Sequence, residues 1–273
     1  MSGTQQTRPG RIDTANRTTP PFGGFNLRFL GMELKRSFRN TGTLIFTLAF
    51  PIGMLFMIAL PNKNTAATDV PIAEGGLSAA VPIMISMAVY GAMVASTMIG
   101  VSVATERSQG WSRQLRLTPL NPGVYIGVKI LTGLAVGAVG VAATLIAGVI
   151  IGIHAPLGNL LLAGFIAWIS SLMLTALGLA VGYAFPAQNA MRYLGPILPV
   201  LSFMGGLFVP LQILPQALQI AAKFTPLWGI ADMSQSASLG VAPDPWSYVN
   251  FIVWLALFSG AAIMMLRRDT ARV

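Results

Sequence analysis

Glu106-Arg-Ser-Gln-Gly-Trp-Ser-Arg-Gln-Leu-Arg-Leu-Thr-Pro119 is a polar, basic segment set between two long apolar runs. Hydrocarbon offers no partners to its charges or to loose backbone N–H and C=O groups, so the segment belongs at a membrane surface. Glu106, Arg107, Arg113 and Arg116 make it a compact charged surface that another protein could grip. Gly110 and Pro119 permit sharp turns at either side of it.

Composition agrees with that placement. Of 273 residues, 54% are hydrophobic and only 9% charged, with a mean hydropathy of +0.70. A soluble domain carries about 25% charged residues, so this chain has too little polar surface to face water. The expected fold is an all-α integral membrane protein. The absence of cysteine excludes disulfides and thiolate metal sites. The net charge of +9 would suggest nucleic acid in a soluble protein, but in a membrane protein it reads as topology, with no nucleic-acid partner.

Six apolar runs lie near the ~20 residues that a helix needs to cross a bilayer. They fall at about 41–60, 79–104, 124–152, 159–184, 193–211 and 248–266. Residues 1–24 read as a flexible cytoplasmic tail, too long for a secretory signal. An even number of spans places both termini on one side. With that side cytoplasmic, fifteen Lys and Arg lie inside and only Lys63 and Lys223 outside, the asymmetry expected of a multi-pass protein of a bacterial cell membrane.

Residues 25–39 are expected to form an amphipathic helix in the interface plane. Leu27, Leu30, Leu34 and Phe38 share one arc, and Arg28, Lys35 and Arg39 share another that faces cytosol and anionic lipid headgroups. Glu33 and Arg36 lie on the same helix, and a simple basic stop beside the membrane is the alternative. Pro51 and Pro82 read as helix kinks. Gly133, Gly137, Gly140, Gly148 and Gly152 read as close helix packing rather than a substrate path. Gly195-Pro196, Pro199 and Gly205-Gly206 make the fifth run irregular. The stretch from Pro210 through Pro215 to Pro226 and Trp228 is too short and polar for a span, so a re-entrant outer hairpin is expected between spans five and six, with Trp228 and Trp246 near the interface belt.

Several chemistries find no residues. No Gly-x-x-x-x-Gly-Lys-Ser/Thr loop occurs, and Gly123-Val-Tyr-Ile-Gly127-Val-Lys129 has the wrong spacing. His154, the lone histidine, falls in a solvated turn, and no metal constellation can be built. Span interiors carry no Asp, Glu, Arg or His, with Glu106, Lys129 and Arg192 at edges. A proton-coupled carrier needs such groups. Energy for uphill movement must then come from elsewhere.

Three segments resemble the permease subunits of ABC type-2 exporters, the group that includes daunorubicin/doxorubicin resistance permeases. Glu33-Leu-Lys-Arg36-Ser-Phe-Arg39-Asn, followed by a span with Pro51, looks like the family's interface helix and first span. Glu106-Arg107, Gly110, Leu115 and Thr118-Pro119, with Tyr125 and Lys129 after them, are similar to its pattern around the coupling helix; Trp111 stands where Thr is common. Gly206-Leu-Phe-Val-Pro210 through Pro215 to Thr225-Pro226-Leu-Trp228 and Asp232 looks like its last outer loop.

The resemblance implies one type-2 transmembrane domain over 25–273, with a coupling helix at about 106–119. It implies no catalytic site or cofactor in this chain, with ATP and Mg²⁺ held by a separate nucleotide-binding ATPase subunit. A second permease copy or paralogue and membrane lipids are the other implied partners. The cargo class is a hydrophobic or amphipathic compound, such as a drug, antibiotic or lipid, moved outward. A path lined by Met84, Met87, Met93, Met98, Phe203 and Met204 is one reading of those side chains, and plain packing is the other. Export of a polysaccharide or ion, or a non-transporting assembly or binding factor, is the alternative function.

Overall fold

The computed structural model describes residues 26–67, 76–110 and 122–271. The expected tail at 1–24, and Trp111, Arg113, Leu115, Arg116, Thr118 and Pro119 of the polar segment, lie outside the described residues.

Every extended element described is helical. Helix α1 (Leu27–Arg39) begins at Asn26, whose side chain accepts the Arg28 N–H at 2.8 Å, and ends with Arg36 and Arg39 in its last turn, where cations favour the helix dipole. Helix α2 (Thr41–Met54) passes Pro51, which has no N–H to donate, and widens into a π-helical turn at Leu55–Ala59. Then follow α3 (Ala80–Ser108), α4 (Pro122–Ile150), α5 (Leu157–Ala184) and α6 (Ala187–Met204). A 3₁₀ turn at Leu211–Ile213 leads into the short α7 (Gln216–Ala222), α8 (Trp228–Leu239) and α9 (Pro245–Ala271). Among the described residues, four helices are long and apolar enough to cross a membrane: α3, α4, α5 and α9.

Helix α3 is the axis of the bundle, with 22 of its 29 residues buried. Small residues let its neighbours approach. A Cβ on Gly100 would sit 2.4 Å from the Leu179 backbone nitrogen, and one on Gly178 would sit 2.3 Å from the Thr97 carbonyl oxygen. The α3 and α5 backbones therefore touch. Gly133 and Gly137 of α4 face Thr175 and Ser171 of α5, and Gly140 faces the Gly91 backbone, as the packing reading of the α4 glycines expects.

Three expectations change. The second apolar run does not stop at 104, because α3 continues to Ser108 and absorbs the start of the polar segment. The fifth begins at Ala187 and ends at Met204, and Pro196 and Pro199 remain inside a helix. Helix α8 was not anticipated, since Ser234, Gln235, Ser236 and Ser238 hide its periodicity. Ser234 and Ser238 nevertheless bond to carbonyls of their own helix, Ile230 at 2.7 Å and Gln235 at 2.6 Å. Within the bundle Trp228 is buried, whereas Trp246 is exposed.

Helix α1 packs through part of its leucine arc. Leu27 is 74% exposed. Phe29, which interrupts the apolar pattern, packs beside Tyr125, Tyr183 and Ala262, and Glu33 is buried. The packed face thus includes Phe29 with the half-buried Leu30 and Leu34 and carries the charge of Glu33, which a hydrophobic-arc argument cannot anticipate.

Candidate functional site

Four charged side chains meet where α1, α3 and α4 come together. Lys129 is the eighth residue of α4, with its side chain 1% exposed. Its ammonium group donates to Glu33 Oε1 at 2.5 Å, Glu106 Oε1 at 2.5 Å and Ser102 Oγ at 3.1 Å. A lysine ammonium has three N–H donors, so each has an acceptor. Arg36 donates to Glu33 at 3.1 Å and to Glu106, while the Tyr125 hydroxyl donates to the other oxygen of Glu106. The Tyr125 ring also lies 5.5 Å from the Lys129 ammonium. Two cations balance two carboxylates, which is the condition for burying any of them.

The next residue along α3 faces another way. Arg107 donates to the carbonyls of Gly182 at 3.1 Å and Tyr183 at 2.9 Å, closing the C-terminal end of α5. It also pairs with Asp269 of α9 at 2.5 Å, over the Tyr183 ring. Gly110, at φ 76, then ends the helix with its N–H bonded to the Arg107 carbonyl at 3.1 Å. The final turn of α3 is a node: Glu106 holds α1 and α4, and Arg107 holds α5 and α9.

The side chains of Glu106 and Arg107 find partners within the chain. Lys129, near the start of its helix, is buried and links both glutamates. A lone lysine in an apolar helix, with two glutamates elsewhere near run ends, was the available signal. Tyr125 stood out only as part of the family pattern, and the roles of Tyr183 and Asp269 had no signal, because their contacts join residues remote in sequence. The middle stretches of α3, α4, α5 and α9 do carry no Asp, Glu, Lys, Arg or His.

Of the six candidate path residues, Met84, Met87 and Met93 are fully buried core side chains within the chain. Phe203 is exposed and Met204 partly buried. Met98 lines a cavity of about 440 Å³ beside the charged cluster, between α1, α2, α3, α4 and α6.

The opposite end of the bundle is built from neutral donors. Trp246 and Asn250 donate to the Lys223 carbonyl at 3.3 and 2.9 Å, Asn250 also to Thr225 at 3.0 Å, and Trp254 to Phe224 at 3.1 Å. These α9 side chains close the C-terminal end of α7. Pro210 and Pro215 precede the 3₁₀ turn and α7, and Pro226 follows it. Lys223 pairs with Asp244 at 2.7 Å and lies 5.3 Å from the Trp228 ring. Its hydrogen bond pulls the Asp244 carboxyl below the usual range. Asp232 accepts the Asp244 N–H at 2.9 Å, yet burial pushes its carboxyl up. His154 is exposed.

Apolar helices of membrane-crossing length, packed through glycines, define a multi-pass helical membrane protein. The ABC-2 type transporter family matches residues 29–239, well over half of the chain, and the chain belongs to that family. It is a transmembrane permease component of a transport system. It is also 24% identical over 228 residues to YvfS of Bacillus subtilis (strain 168), a protein named as a transport permease; the match covers 83% of this chain and 90% of YvfS.

Proposed function

We propose that this chain is the permease subunit of an ATP-driven exporter that moves a hydrophobic or amphipathic compound out of a bacterial cell. Six spans cross the cell membrane, with α2 and α6 adding to the four longer helices and both termini cytoplasmic. Helix α1 lies in the interface, and the 3₁₀ turn with α7 forms a re-entrant outer hairpin; all of 25–273 is one transmembrane domain. A separate ATPase subunit holds ATP and Mg²⁺ and docks on the segment after α3, with Trp111, Arg113, Leu115, Arg116, Thr118 and Pro119 as its contacts. A second permease copy completes the path, and Met98 belongs to its lining.

The observation that supports the coupling role is the double-sided tie at the end of α3. A push on the segment beyond Gly110 reaches α1 and α4 through Glu106, and α5 and α9 through Arg107. The backbone contact at Gly100 and Gly178 makes α3 and α5 move together. Packed elements of this kind respond to a local push as rigid bodies.

The test separates docking from folding. Arg113→Ala with Arg116→Ala leaves the buried charges untouched, and is expected to reduce copurification of the ATPase and ATP-dependent transport in lipid vesicles. Retention of both would sink the docking assignment. ATPase binding without any ATP-dependent transport by the unaltered complex would point instead to an assembly factor. A single cysteine at Ser108 should resist an impermeant maleimide added to intact cells, and reaction from outside would invert the orientation.

A further inference from the structure

The cavity beside the charged cluster has a polar mouth and an apolar floor. Asn40, Gln109 and the Met191 side chain at its mouth are exposed, whereas Ala95, Ile99 and Val136 are buried. Those three form a small apolar cluster apart from the larger ones. Thr47, only 2% exposed, also lines the cavity, and its hydroxyl has no hydrogen-bond partner. Burying a hydroxyl without a partner is unfavourable, and a polar ligand atom that entered the cavity deeply enough to reach it would complete it.

Dimensions and charge restrict that ligand. Glu106 near the mouth and Ala95 at the floor are eleven residues apart along α3, a rise of roughly 16 Å. That is about half of the ~30 Å hydrocarbon core, or one leaflet. Lys35, Arg36 and Arg39 share one turn of α1 at the mouth, where Arg36 and Asn40 line both this cavity and a shallower depression with Lys35 and Arg39. Glu106, the carboxylate in the lining, is already occupied by Lys129, Arg36 and Tyr125. The rim therefore favours an anion, and the floor a hydrocarbon chain.

We propose that this cavity takes an acidic phospholipid from the surrounding leaflet, its headgroup on the Lys35–Arg39 turn and one acyl chain on the Ala95–Ile99–Val136 floor. The Thr47 hydroxyl donates to an ester carbonyl. This deepens the permease reading by naming an anionic amphiphile as the class the cavity accepts.

The experiment uses the full chain in phosphatidylcholine vesicles, with bimane on a cysteine replacing Met191 and brominated lipids as quenchers. It needs no ATPase, so its failure and that of the exporter reading are distinguishable. Brominated phosphatidylglycerol should reach half-maximal quenching at a mole fraction roughly ten-fold below brominated phosphatidylcholine. Dodecyl phosphate should reverse the quenching and dodecyltrimethylammonium should not. Met98→Trp, which fills the cavity, should abolish the headgroup preference, as should Lys35→Gln with Arg39→Gln at the exposed rim. Thr47→Val should raise the half-maximal fraction about three-fold. Equal quenching by the two lipids, or an unchanged preference in the exposed-rim variant, overturns the proposal.

Discussion

At the Glu106 end, the buried Lys129, Glu33 and Glu106 and the half-exposed Arg36 form a charge-balanced group that joins three helices. At the Lys223 end, indole and amide N–H groups of Trp246, Asn250 and Trp254 hold backbone carbonyls, and the ion pair of Lys223 with Asp244 is half-exposed. Removing one member of a buried charge group strands its partners, whereas losing one neutral hydrogen bond leaves its neighbours satisfied or wet. The first end is therefore all-or-none and the second is graded. An all-or-none junction suits transmission of movement, and a graded one suits a passive closure.

The largest expected effect breaks the first end. Lys129→Met should destabilise the protein by about 3–5 kcal/mol, because two carboxylates remain buried without their shared cation. Equilibrium unfolding in mixed detergent micelles measures it. Adding Glu33→Gln and Glu106→Gln should recover most of the loss; no recovery would mean that the charges are not what Lys129 serves.

Next comes the close approach of the α3 and α5 backbones. Gly100→Ala puts a methyl group within 2.4 Å of the α5 backbone and should cost about 1–3 kcal/mol or force the helices apart. Gly127→Ala in α4 meets nothing within 4 Å and is the matched control. Equal unfolding midpoints for the two variants would refute the backbone contact.

Smaller effects are expected at the second end. Asn250→Leu removes two hydrogen bonds and should cost about 1–3 kcal/mol, while Trp254→Phe removes one and should cost about 0.5–1.5 kcal/mol. A loss as large as that of Lys129→Met would erase the contrast between the ends.

The smallest effect is in pH dependence. The folded Asp244 titrates below its ordinary value, so its contribution is present above that value and disappears as pH falls through the folded one. Asp232 titrates above its ordinary value, so its contribution is present at low pH and disappears as pH rises. Between about pH 5 and 3, Asp244→Asn should make acid destabilisation shallower, and Asp232→Asn should make it steeper. Unfolding midpoints against pH resolve both, and the same sign for the two variants would contradict the opposed environments.

Much of the fold was legible because long apolar runs have few physical options. A run such as 124–152 must satisfy its backbone within itself, so it is a helix, and α4 departs from that range by only two residues at each end. Helix α8 was invisible because its serines bond to their own helix and leave no period. The candidate site was legible in part. Glu106, Arg107 and Gly110 stood out as polar residues in an oily chain, but their direction did not. Met84 and Met87 could not be told from path residues, since methionine fills a core and lines a groove with equal ease.

Composition suffices to show that the chain is a helical membrane protein. Water and hydrocarbon impose that sorting residue by residue, so it is written locally. Which charges meet was settled by packing alone. Glu33, Glu106 and Lys129 lie 73 and 23 residues apart in sequence and become neighbours when α1, α3 and α4 close on one another. No local pattern records a contact made by three separate helices, and on that contact the node depends.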